Sequence, residues 1–137
     1  MIKKYSALKN VIQAVTEEIK TVLDDNKVWQ LLESSSAKSG IFDGGCLIFA
    51  QALQIVYRGQ IVRIVRKNGI TEHYGLKASF GYLDGYGCHS SAQEWLQNYT
   101  REEDLPNAEY SVLSGIDKES GILSDIETSL KIANLWN

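Results

Sequence analysis

Apolar residues recur three and four apart at Leu8, Val11, Ile12, Val15, Ile19, Val22 and Leu23, and this spacing predicts an amphipathic helix over residues 6–24. Asp24-Asp25-Asn26 ends it. Val28, Trp29, Leu31 and Leu32 predict a second helix, which stops in the polar run Ser34–Gly40. From Cys46 to Tyr57 nearly every position is apolar, the pattern of a helix buried on most sides. Arg58-Gly59 closes it, with glycine available for a left-handed C-terminal cap.

The texture then changes. Ile61, Val62, Ile64 and Val65 are β-branched, and Lys67-Asn68-Gly69 is a turn signal. A second strand is expected over roughly 70–78 and a third around 81–86. Ser91-Ala92-Gln93-Glu94 matches the S-x-x-E capping box, which places a helix near 91–101. Residues 109–113 read as another strand, and Ser124 opens a last amphipathic segment with Ile126, Leu130, Ile132 and Leu135. Helices first and strands afterwards indicate an α+β fold, with N-terminal helices packed on an antiparallel sheet. At 137 residues, without repeats or a linker, the chain reads as one domain over 1–137.

Composition narrows the function classes. The net charge is −3 with no basic block, so nucleic acid is not the expected partner. Polar residues interrupt every apolar run before it could span a bilayer, and Asn10, Gln13, Glu17 and Glu18 rule out a signal-peptide core. A cytoplasmic protein is expected, with export as an effector left open. Cys46 and Cys88 do not form a disulfide framework. Cys88-His89 raises the question of zinc, but no C-x-x-C or H-x₃-H pair is present, so no metal is expected.

The candidate chemistry lies in two stretches. In Asp43-Gly44-Gly45-Cys46 a thiol stands at a helix start, with Asp43 the expected N-cap. There it meets the positive end of the helix dipole and unpaired N–H groups, both of which favour thiolate. Gly44 and Gly45 would let a substrate backbone approach, and the Cys46 N–H could serve as an oxyanion donor. The second stretch is Thr71–Gly87. A tight turn centred between Ala78 and Ser79 sets His73 opposite Asp84 on one face, Cβ atoms about 4.5–5.5 Å apart. A carboxylate there would fix the imidazole tautomer and favour its charged form. A slip of one residue would separate the two.

Together "DGGCLIFAQAL" and "HYGLKASFGYLDGYG" resemble the papain-like cysteine peptidase and amidase superfamily in its small bacterial or phage form, over roughly residues 40–103. The resemblance implies Cys46 as nucleophile, His73 as general base and acid, and Asp84 as the orienting residue. It implies thiol attack on a peptide or protein amide, by hydrolysis, deamidation or acyl transfer, without a cofactor. The family's oxyanion glutamine has no counterpart in Ser39-Gly40-Ile41-Phe42. Plainer readings stand beside this one. Cys46 could be a packing residue, Asp84 a turn residue, Trp95 a helix anchor and His89 the alternative base. The domain could also be a non-catalytic binding or inhibitory module.

Overall fold

The computed structural model describes the backbone of residues 2–9 and the whole of residues 10–38, 40, 41 and 44–136. Three helices come first: α1 (Ile2–Asp24), α2 (Lys27–Glu33) and α3 (Cys46–Tyr57). The strands are β1 (Gln60–Arg66), β2 (Thr71–Ala78), β3 (Gly81–Asp84), β4 (Gly87–His89) and β5 (Tyr110–Ser114), with α4 (Ala92–Glu102) and α5 (Ile126–Ala133) after β4 and β5. The strands form one antiparallel sheet in the order β4-β3-β2-β1-β5. The fold is α+β, with N-terminal helices packed on a five-stranded antiparallel sheet. Among the described residues no helix is long and apolar enough to cross a membrane.

The apolar run predicted as a buried helix is α3, and every residue from Cys46 to Leu53 is buried. Full burial of side chains such as Ile48 and Leu53 contributes about 1.5–3 kcal/mol each. With Val15 and Ile19 of α1 and Val28 and Leu32 of α2, they form the main core. Tyr74, Leu76, Ala78 and Leu83 meet that core from one face of the sheet. The other face carries Val62 and Ile64 and is covered by Trp95 and Tyr99 of α4. Alternation along β2 therefore sends His73 and Gly75 to the α4 side.

Several local expectations need correction. Lys77 pairs with Tyr82 and Ala78 with Gly81, so Ser79-Phe80 form a two-residue loop. The expected register would have put Lys77 against Phe80. The third strand ends at Asp84, and Cys88 and His89 lie in β4. Gly59 does not act as a left-handed cap: the C-cap is Arg58, at φ 62 and ψ 156. A Cβ on Gly59 would lie 2.2 Å from the Lys77 carbonyl oxygen, so that glycine serves a close approach of two backbones. The N-cap of α3 is Gly45, without a side-chain cap bond, and Asp43 lies outside the described residues. The last helix is capped by Asp125, which accepts from the Thr128 N–H at 3.1 Å. The same carboxylate accepts from the Ser36 N–H and hydroxyl, which ties α5 to the segment leading to Cys46.

Candidate active site

Cys46 is the first residue of α3, where the backbone N–H has no intrahelical acceptor and the helix dipole favours negative charge. Gly45 before it has ordinary right-handed backbone at φ −86, and its own N–H is taken by the Gly40 carbonyl at 3.0 Å. Gly45 therefore offers no spare donor. Gly44 is half-buried.

His73 and Asp84 share the α4-facing side of the sheet. Shifting the pairing by two residues keeps the face, because side chains alternate with period two. The two residues are diagonal neighbours, and His73 Nε2 meets Asp84 Oδ2 at 2.9 Å. Directly across from Asp84 the register puts Gly75, where an added Cβ would lie 2.6 Å from the Trp95 ring. The missing side chain leaves room for that indole. Trp95 Nε1 donates to the same Asp84 Oδ2 at 2.8 Å. Four residues on, along the same face of α4, the Tyr99 ring stacks on His73 with centroids 4.2 Å apart. Asp84 Oδ1 accepts from the Tyr86 N–H at 2.9 Å.

The third expected residue lies near enough to the same cluster for the Cys46 thiol to favour the charged form of the His73 ring. With Nε2 turned to Asp84, a neutral ring carries its lone pair on Nδ1. Burial alone would lower the His73 pKa, but the Asp84 hydrogen bond and the nearby Asp84 and Cys46 groups outweigh it and raise it to about 9. Burial alone would likewise raise the Asp84 carboxyl, yet the His73 hydrogen bond and the charges of His73 and His89 hold it well below the usual carboxylate range. Cys88, by contrast, is pushed up to about 11 by burial.

These shifts set a pH dependence of stability. The raised His73 value stabilises the fold fully below the unfolded-state value of about 6.5, and that contribution is lost as pH rises through about 9. The depressed Asp84 value acts fully above about 4 and is lost as pH falls. The thermal midpoint is therefore expected to fall between pH 6.5 and 9.5, and His73→Gln should flatten that fall. A midpoint level across this range in the intact protein would contradict the pairing.

The site is sealed: Cys46, His73 and Asp84 are 2 %, 1 % and 2 % exposed. A carbonyl reaches the thiol only if the site opens. Neither glutamine of the neighbouring helices supplies an evident oxyanion donor. Gln30 is exposed on α2, and Gln51 accepts from the Ser124 hydroxyl at 2.7 Å. Among the described residues no group of three or more His, Cys, Asp or Glu is arranged to hold a metal ion. Both cysteines are free thiols. Sequence reasoning took Trp95 for a plain helix anchor and gave Tyr99 no role. The signal was present in their i, i+4 spacing on a helix facing a strand with a bare Gly75.

Comparison of the chain with family models, with curated proteins and with solved structures gives no match.

Proposed function

We propose that the chain is a papain-like, cysteine-dependent amide hydrolase of peptidase or glutamine-deamidase type, acting through Cys46, His73 and Asp84. The observation that carries this reading is the buried 2.9 Å contact of His73 with Asp84, on a ring whose charged form is also favoured by the nearby thiol at the head of α3. Structural cysteines have no need of an oriented imidazole. The Cys46 thiol passes its proton to His73, and the thiolate attacks the amide carbonyl carbon. The oxyanion that forms is met by the Cys46 N–H at the head of α3, with Gly44 and Gly45 giving the substrate room. His73 returns the proton to the leaving amine or ammonia, and a thioester remains on Cys46. Water then attacks the thioester, His73 takes its proton, and the acid and free thiol are released. Asp84 holds the ring and balances its charge throughout. The substrate is a peptide or protein amide, no cofactor is required, and both thiols need a reducing compartment such as the cytoplasm.

The test is direct trapping. Incubation with a p-nitrophenyl acyl ester and with glutamine-containing peptides is expected to add one acyl group to Cys46, seen by intact mass and removed by hydroxylamine. Cys46→Ala should abolish the adduct. An adduct on Cys88, or none on either cysteine, would sink the reading. The near-complete burial of Cys46 favours a second reading, a non-catalytic binding module with the same fold. That module would form no thioester and would keep its full effect in Cys46→Ala protein.

A further inference from the structure

Asp84 faces two histidines. Its Oδ2 accepts from His73 and Trp95, while its Oδ1 accepts from the Tyr86 N–H and faces His89 Nε2 at 3.7 Å. That separation is too long for a hydrogen bond and short enough for an ion pair once the ring is charged. His89 Nε2 is buried and has no hydrogen-bond partner among the described residues. The side chain as a whole is 14 % exposed, enough for a proton to reach it. A buried imidazole nitrogen aimed at a shared carboxylate is not explained by strand pairing with Tyr82 alone.

We propose that His89 is a positioning residue that acts on His73 through Asp84. Charged, it draws the carboxylate toward Oδ1 and weakens the hold of Oδ2 on the His73 imidazolium. Neutral, it leaves that charge to His73. The inference deepens the hydrolase reading and rests on it for its functional meaning. Hydrolysis of the thioester requires a neutral His73, and a charged His89 extends that form toward lower pH. Other groups face the two rings: Asp84 from β3, Cys46 from α3, Glu94 from α4 against His89, and Tyr99 from α4 against His73. The contact of α1 with β4 runs through Thr16, which is uncharged.

The test uses Cys46→Ala protein, which removes the thiol's influence on His73. Imidazole ¹⁵N signals are followed from pH 5 to 9 in this background alone, with His89→Gln and with His89→Lys. Removing the chargeable ring is expected to raise the His73 midpoint by about half a unit or more, and a fixed charge should lower it by a similar amount. A loss of packing would move both variants in the same direction. Shifts in one common direction, or a His73 midpoint indifferent to both substitutions, would overturn the proposal. The hydrolase reading is judged apart, on Cys46 itself. A missing thioester combined with opposite shifts would end that reading and leave the His89–Asp84–His73 coupling standing.

Discussion

Asp84→Ala is expected to destabilise the fold by about 3–5 kcal/mol, the range for removing one partner of a buried charged pair. Three donors lose their acceptor together: His73 Nε2, Trp95 Nε1 and the Tyr86 backbone N–H. Each buried donor left unpaired costs about 1–3 kcal/mol. His73 limits the damage by shedding its proton, because burial disfavours its charged form once Asp84 is gone. Asp84→Asn keeps the shape and one acceptor oxygen and should lose about half as much. Urea unfolding at pH 6, where the pair contributes fully, is the appropriate measurement. A loss under about 1 kcal/mol in the alanine variant would mean that the cluster does not hold the sheet to α4.

The second large effect concerns reactivity. An ordinary thiol, with a pKa of about 8.5, is only about 3 % thiolate at pH 7. A thiol whose proton rests on His73 escapes that limit. His73→Ala is therefore expected to slow alkylation of Cys46 at pH 7 by about 30-fold. The comparison holds only if opening of the sealed site is unchanged, so hydrogen exchange at the head of α3 should be followed in both proteins. The other thiol gives a built-in contrast, since Cys88 is raised by burial and has no imidazole pulling on its proton.

Much of the fold was legible because local signals agreed with one another. The apolar run from Cys46 to Tyr57 has the bounds of α3 itself. Ser91 caps α4 by accepting from the Glu94 N–H, while Glu94 reaches back to the Ser90 N–H instead of to Ser91. The β2–β3 register was misjudged, yet its consequence survived. Moving the turn centre by one residue shifts the pairing by two, and a two-residue shift keeps each side chain on its face. His73 and Asp84 thus meet as diagonal neighbours instead of directly opposed ones. The role of Gly75 followed from that difference, since only the observed register puts it across from Asp84. Trp95 and Tyr99 were harder to read. Their helix could be recognised from its cap, but which face of the sheet it covers is a long-range packing choice. The placement of β5 beyond β1, at the far edge from β4, depends on the same choice. Burial of the cluster was not legible either, because exposure of a short polar-and-glycine segment depends on what packs over it.

In the proposed hydrolase His73 takes the proton of Cys46. The most direct measurement is the rate of Cys46 alkylation by iodoacetamide from pH 5 to 9.5, in Cys88→Ser protein with and without His73→Ala. The parent is expected to keep most of its pH 9 rate down to pH 7, whereas the His73→Ala protein should lose about tenfold for each unit below the ordinary thiol range. Two superimposable profiles, both falling with ordinary thiol behaviour, would contradict that proton transfer and make Cys46 a packing residue of the core.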